Sequence, residues 1–278
     1  MAHVAAGRAA VTVRDFAGRV VLVSGAAGGL GAALCRRFAA AGARIAATDV
    51  DAAGLDALAS ALRAAGAEVL PLTADLRDAD ACRAVVAAAV AHFGALDGVI
   101  NNAGISHRSL LAQTDPEVIR RVVEVNFLGA VALTHAALPH VTARRGVVAA
   151  ISSVAGFAPL VGRTGYAASK HALHGFFDTL RSEVEGAGVS VTLVCPSFIA
   201  TGIGAAALNT SGPRVTTGGE SSPEEIAQRI FEAVARGRRL LLPDRTSRTA
   251  WWVSRLAPAL YARIMKRRLG GEFPALPR

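Results

Sequence analysis

Cysteine, lysine and tyrosine are scarce in this chain: its 278 residues include three cysteines, two lysines and two tyrosines. Cys35, Cys82 and Cys195 are odd in number and far apart, with no CxxC pair, so a disulfide framework is excluded and each is expected as a buried, reduced thiol. No apolar run reaches the roughly 18 uninterrupted residues of a spanning helix, because Gly, Arg or Asp breaks each one. The first eighteen residues also lack the compact apolar block of a secretory signal. Residues 1–18 are therefore expected to be a short leader to a cytoplasmic domain, with peripheral membrane contact as the alternative. A content of 52% apolar and 18% charged residues excludes disorder and staple-dependent miniproteins. The net charge of +9 is local, since residues 236–278 hold eleven Arg or Lys against Asp244 and Glu272. A basic tail without a reading motif does not indicate nucleic-acid binding.

From Arg19 to Leu242, short β-branched runs alternate with longer Ala-rich segments of helical period, the pattern of a parallel α/β sheet. Seven strands are expected: Val20 to Ser24, Arg44 to Thr48, Glu68 to Leu72, Gly98 to Asn101, Gly146 to Ile151, Val189 to Val194 and Arg239 to Leu242. Helices should start near Gly29, Asp51, Asp78, Asp115, Tyr166 and Pro223. No linker divides the chain, so one doubly wound domain is expected over 19–245. Residues 200–222, rich in glycine and without a period, read as a mobile substrate loop. Residues 246–278 read as a basic amphipathic helical extension.

The first strand runs into Ser24-Gly25-Ala26-Ala27-Gly28-Gly29-Leu30-Gly31 and then a helix. Such a turn lets backbone N–H groups approach a pyrophosphate at the helix's positive end. Its GxxxGxG spacing alone serves cofactor binding and simple turn geometry equally well. Asp49 ends the next strand, where a carboxylate can accept from a ribose 2′-OH and repel a 2′-phosphate. With no Arg or Lys in the glycine loop or just after Asp49, NAD is preferred to NADP. Asp49 could equally cap the following helix, as could Asp51, and Asp75 has the same ambiguity.

Tyr166 and Lys170 form YxxxK, one helical turn apart on one face. An ammonium beside a phenol favours the phenolate, making Tyr166 a candidate acid and base. Ser153 lies thirteen residues upstream, just past a strand, at the sheet edge where ligands bind in such folds.

These residues together resemble the short-chain dehydrogenases/reductases, in their common non-extended form, over about Ala17 to Leu242. The glycine loop is similar to the family's TGxxxGxG with Ser24 for Thr. Asn101-Asn102-Ala103-Gly104 matches NNAG, and Ser153, Tyr166 and Lys170 match Ser and YxxxK at the usual spacing. Asn126 matches the asparagine that completes the tetrad. The resemblance implies a Rossmann domain and NAD(P)-dependent hydride transfer between nicotinamide C4 and an alcohol or ketone carbon. It implies Tyr166 as proton shuttle and Ser153 as substrate-orienting group. Lys170 would lower the Tyr166 pKa and hold the nicotinamide ribose, and Asn126 would keep a water in the relay. Gly25, Gly29, Leu30, Gly31, Asp49, Asp75, Leu76, Asn102, Ala103 and Gly104 would hold the cofactor with Tyr166 and Lys170. PGxxxT appears as Pro196 to Thr201, with Pro196, Ile199 and Thr201 as carboxamide contacts. Ser197 replaces its Gly, which questions the local backbone because Ser tolerates positive φ poorly. A homo-oligomer, tetramer or dimer, built on the Asp115 and Tyr166 helices is also implied.

Substrate identity is assigned to residues 200–222 with Phe157, Phe198 and Ile203, whose types suit an apolar secondary alcohol or ketone. The alternative function is a catalytically idle dinucleotide-binding adaptor that uses its tail for a membrane or a partner. His171 with His174, and His135 with His140, lack a converging further ligand, so no metal is expected. His107 reads as a solvated loop histidine at the edge of the substrate region. In the tail, Trp251, Trp252, Leu256, Leu260 and Ile264 recur at near-helical spacing. They read as a terminal helix packed on its own domain or a neighbouring subunit, ahead of an interfacial helix on a membrane surface.

Overall fold

Runs such as Val20-Val21-Leu22-Val23 are apolar on both pleat faces, which suits strands covered by helices on both sides. In the computed structural model, which describes residues 13–201, 207–210, 219–269 and 273, such runs form one parallel sheet. Its first half alternates β1 (Val20–Ser24), α1 (Gly29–Ala39), β2 (Arg44–Asp49), α2 (Ala52–Ala64), β3 (Val69–Thr73), α3 (Ala79–Phe93) and β4 (Gly98–Asn101). After a two-residue strand β5 (His107–Arg108) come α4 (Pro116–Val123) and α5 (Gly129–Ala143), joined through a π-helical turn at Glu124–Leu128. The second half runs through β6 (Val147–Ile151), α6 (Thr164–Val184), β7 (Ser190–Val194), a short β8 (Leu208–Thr210), α7 (Pro223–Ala235) and β9 (Leu240–Leu241). Two further helices follow, α8 (Arg245–Leu256) and α9 (Pro258–Leu269).

The main sheet has the order β3-β2-β1-β4-β6-β7-β9, with every pairing parallel. Strand order reverses between β1 and β4, and a crevice opens there at the carboxyl edge, as topology requires. The seven strands, the doubly wound order and six helix starts agree with expectation to within two residues. Polar caps set several of those starts. Asp51 accepts from Gly54 N–H, Asp78 from Asp80 N–H, Asp115 from Glu117 N–H and Ser222 from Glu225 N–H, with proline at the first helical position after the last two. α1 starts at Gly28 without a side-chain cap, which leaves its first N–H groups facing the crevice.

Several expectations need correction. The end of the supposed leader is fastened to the domain: Arg14 N–H donates to the Ala235 carbonyl, and Phe16, 1% exposed, packs in the core edge-on to Phe38 and against Phe231 at centroid distances of 5.0 and 5.6 Å. The stretch Pro116–Ala143 is, by length and composition, apolar enough to cross a membrane. Its α5 part packs on α3, with Leu133, Ala137 and Val141 buried in the core there. Within the expected substrate loop, β8 pairs in parallel with β5; residues 202–206 and 211–218, including Gly202, Ile203, Gly204, Gly212 and Gly218, lie outside the described residues. All three cysteines are free and buried.

The tail is two helices rather than one, breaking at Ala257 before Pro258. Asp244 starts α8 with a reciprocal cap to Ser247, and its Oδ2 also accepts the Ser197 N–H at 3.0 Å. Trp251 meets the Phe157 ring edge-on at 4.8 Å, while Ala250, Tyr261 and Met265 cluster with Ala158. Of the expected stripe, Trp251 and Ile264 pack towards the chain's own loop between β6 and α6, whereas Trp252, Leu256 and Leu260 stay exposed.

We predict that Phe16→Ala destabilises the fold by about 3–5 kcal/mol, since it removes a buried ring from an aromatic trio. Urea unfolding measures this. A loss below about 1 kcal/mol would mean that residues 13–18 are a detachable leader after all.

Candidate active site

The crevice between the two halves of the sheet is a cavity of about 680 Å³. Its floor is set by a close approach of two loops. Gly25 has φ +64°, and a Cβ there would lie 2.7 Å from Ala103 Cα, so only glycine lets the loops touch. Ser24 Oγ accepts the N–H groups of Asn102 and Ala103 at 3.0 and 3.1 Å. Asn102 Nδ2 donates back to the carbonyls of Ser24 and Gly25 at 2.9 and 3.0 Å. A hydroxyl is all that this lock needs, which accounts for Ser in place of Thr at position 24.

Gly29, Leu30 and Gly31 form the first turn of α1 and line the cavity with Asp49, Asp75, Leu76 and residues 102–104. The Asp49 carboxylate accepts from the N–H groups of Ala27 and Asp51 at 3.0 and 3.1 Å, which ties the end of β2 to the glycine loop. Asp51, not Asp49, caps α2. Asp75 is held by Arg77, whose Nε lies 2.9 and 3.1 Å from its two oxygens, and this pairing keeps the Asp75 carboxyl below the usual range. Arg77 and Arg121 both line the cavity. Sequence spacing does not place these two cations, because they reach the site from the β3 and α4 sides.

Across the cavity, Ser153 heads the turn after β6, and its Oγ accepts the Ala155 N–H at 3.1 Å. Tyr166 lies in the first turn of α6 and lines the cavity with Ser153. Burial pushes the Tyr166 phenol up, while the neighbouring Ser153 hydroxyl and Arg163 charge pull it down. Lys170 is buried one turn further on, donates from Nζ to the Ile151 carbonyl at 2.7 Å and lies 5.7 Å from the Tyr166 ring centre. Burial lowers its pKa to about 8.

Asn126 sits in the π turn, whose extra residue directs its side chain inward. Oδ1 accepts the Ile105 N–H at 2.8 Å; Nδ2 donates to the Ile105 carbonyl at 2.9 Å and to Ser169 Oγ at 3.0 Å. This amide clamps the segment after β4 to α6. A Cβ on Gly104 would lie 3.2 Å from Asn126 Oδ1 and 3.4 Å from Lys170 Nζ, so the NNAG segment runs directly beside both.

Pro196, Ser197, Phe198, Ile199 and Thr201 complete the wall. Ser197 has no positive φ, so its replacement of glycine strains nothing. Phe157 is not part of the lining, because it turns away to Trp251. Two hydroxyls of wall residues, Thr48 Oγ1 and Ser197 Oγ, are buried without a hydrogen-bond partner among the described residues. The cavity's size, its uncapped helix start and Asp49 suit a dinucleotide.

The comparisons agree with this geometry. Residues 19–211 match the family model for short chain dehydrogenase. The chain belongs to the short-chain dehydrogenase/reductase family. Dehydrogenase/reductase SDR family member 7B of Bos taurus is 39% identical over 266 residues, covering 91% of this chain and 82% of that protein. The family protein 7-like of Anopheles gambiae is 37% identical over 269 residues, covering 92% and 84%. Among solved structures, a family member from Burkholderia phymatum in complex with NAD superposes with a TM-score of 0.77 at 27% identity, over 95% of this chain and 98% of that one. A dehydrogenase/reductase from Sinorhizobium meliloti 1021 gives 0.75 at 29%, over 85% and 97%. The family fixes the general activity as oxidoreduction with a nicotinamide cofactor.

Two supports behind the family's residues carry no sequence signal. His107 is buried, not solvated: Nε2 accepts the Gly165 N–H at 2.9 Å, capping the helix that bears Tyr166, while Nδ1 lies 3.4 Å from Ser109 Oγ. His174 lies behind Lys170, with Nε2 at 3.0 Å from Ser152 Oγ and 3.4 Å from Cys195 Sγ; Ser152 Oγ in turn donates to the Lys170 carbonyl at 3.1 Å. Burial depresses both histidines, His174 to about 4. Because folding holds them below the ordinary 6.5, the stability they confer is complete above pH 6.5 and is lost as pH falls. We predict a fall in unfolding free energy between pH 6.5 and about 4 that becomes shallower in His174→Gln. Urea titrations across that range measure it, and an unchanged slope contradicts the assignment.

Proposed function

We propose that the chain is an NAD-preferring alcohol dehydrogenase or ketone reductase acting on an apolar secondary alcohol or ketone. The observation that carries this reading is the meeting of Ser153, Tyr166 and Lys170 on the same cavity as the glycine loop. When bound there, nicotinamide supplies the acceptor or donor of a hydride at C4. The glycine loop and the first turn of α1 hold the pyrophosphate, and Asp49 holds the adenosine ribose. The Ser153 hydroxyl orients the substrate oxygen against the Tyr166 phenol. In reduction the phenol, whose pKa burial raises, would donate its proton to that oxygen and become a phenolate; in oxidation the phenolate, favoured by Ser153 and the Arg163 charge, would take the proton of the substrate hydroxyl. Lys170, with a pKa of about 8, is mostly an ammonium at neutral pH and binds the nicotinamide ribose. Asn126 keeps the cavity wall in register with α6. Leu160, Phe198 and Ile105 supply apolar lining for the substrate.

A second reading, NADP use, draws on Arg77 and Arg121 in the cavity wall. We favour NAD because Arg77 is engaged by Asp75 and because a carboxylate at the end of β2, Asp49, would repel a 2′-phosphate. A homo-oligomer on the α4 and α6 helices is also proposed, in keeping with Leu128 in the turn that follows α4, which is 50% exposed.

Tyr166→Phe is expected to cut turnover at least about 100-fold while NADH affinity stays within about threefold, because the ring remains and the proton is lost. Lys170→Met should weaken both. Steady-state rates over a panel of steroid, aryl and aliphatic alcohols and ketones, beside NADH titrations, measure this; near-normal turnover in Tyr166→Phe refutes the acid/base role and favours an idle dinucleotide-binding adaptor.

Cofactor choice is expected to follow Asp49. Asp49→Ser with Val50→Arg, at a side chain 65% exposed, should shift the kcat/KM ratio towards NADP by about tenfold or more. A parent protein that already prefers NADP contradicts the assignment.

A further inference from the structure

The packed stripe of α8 and α9 accounts for only one side of these helices. On the other side Trp252, Leu256 and Leu260 are 61%, 78% and 49% exposed. They are three of the seven large apolar side chains left open on the described surface, and they fall within nine residues. Trp252 and Leu256 are four apart on one helix and share a face. The segment 245–269 also holds seven arginines and lysines and not one aspartate or glutamate. Arg255 keeps its guanidinium on the inner Trp251 ring, 3.1 Å from its centre, which leaves Trp252 uncovered by it.

We propose that this outer face docks on an anionic lipid surface. An indole and two leucines amid cations have the composition of an interfacial helix, in which apolar groups enter the headgroup boundary and cations meet lipid phosphates. A second copy of the same patch is disfavoured, because a two-fold contact would bring two all-cationic surfaces together. The pair is built to be held rather than to float: Asp244 anchors its start to Ser197, Trp251 packs on Phe157, and Tyr261 and Met265 pack with Ala158. Docking therefore places the α8–α9 pair between the membrane and the β6–α6 loop on which it packs. The proposal stands on the surface alone and does not depend on which alcohol or ketone is turned over.

The test uses the full chain with vesicles of phosphatidylcholine, with or without about 30 mol% phosphatidylglycerol, in flotation at low and high salt. The expected result is binding to the anionic vesicles only, lost at about 0.5 M salt. Trp252→Ser with Leu256→Ser should reduce the partition coefficient roughly tenfold or more. Melting temperature and NADH affinity should not change, since neither side chain belongs to the packed stripe. Lys266→Glu with Arg267→Glu should abolish the preference for anionic lipid. Equal binding to neutral vesicles, no binding to either, or undiminished binding of the double apolar variant overturns the proposal. So does a variant that leaves vesicle binding intact and instead shrinks the particle in size exclusion, which would assign the face to a second copy.

Discussion

The lock between the ends of β1 and β4 is the contact on which the rest of the site depends. One hydroxyl, Ser24 Oγ, accepts two backbone N–H groups from the opposite loop, and Asn102 answers with two donated bonds. Parallel topology brings these loops to the point where strand order reverses, but topology alone leaves a gap of unspecified width. Glycine at position 25 allows contact, and the four hydrogen bonds fix it. From there the glycine loop, Asp49 and residues 102–104 are one rigid half of a cavity.

The other half is built around α6. Its N-terminal turn carries Tyr166 and Lys170, and three polar contacts hold it from different elements: His107 from β5, Asn126 through Ser169, and Ser152 through the Lys170 carbonyl. Each is buried, and buried hydrogen bonds are costly to leave unmade. The same burial holds the histidines neutral, draws Lys170 down to about 8 and raises the Tyr166 phenol. Packing and proton affinity are thus set by one act of desolvation, offset at Tyr166 by Ser153 and Arg163.

The seven strands were legible because both-face burial writes itself as unbroken Val, Ile, Leu and Ala, and helix starts because Asp and Ser caps punctuate them. The glycine loop, Asp49, NNAG, Ser153 and YxxxK were legible through their ordered spacing, and the structure gathers them on one cavity. His107 was misread: nothing local tells a loop histidine that its acceptor will meet the Gly165 N–H, 58 residues away. Arg77 and Arg121 were missed for the same reason, being brought to the adenine side by tertiary folding. The π turn at Asn126 carries no composition signal, and the division of Trp251 from Trp252 into packed and open faces depends on where α8 is fastened, not on its period.

If the β1–β4 lock builds the cofactor half of the cavity, it should be measurable without any substrate. NADH titrated into Ser24→Thr, which keeps the hydroxyl, and into Ser24→Ala, which strands two N–H groups, separates the lock from a merely tolerant turn. The account predicts affinity near that of the parent protein for Thr and a loss of about tenfold or more for Ala, given roughly 1–3 kcal/mol for a buried unsatisfied group. Unchanged NADH affinity in Ser24→Ala, in a protein that remains folded, would contradict it.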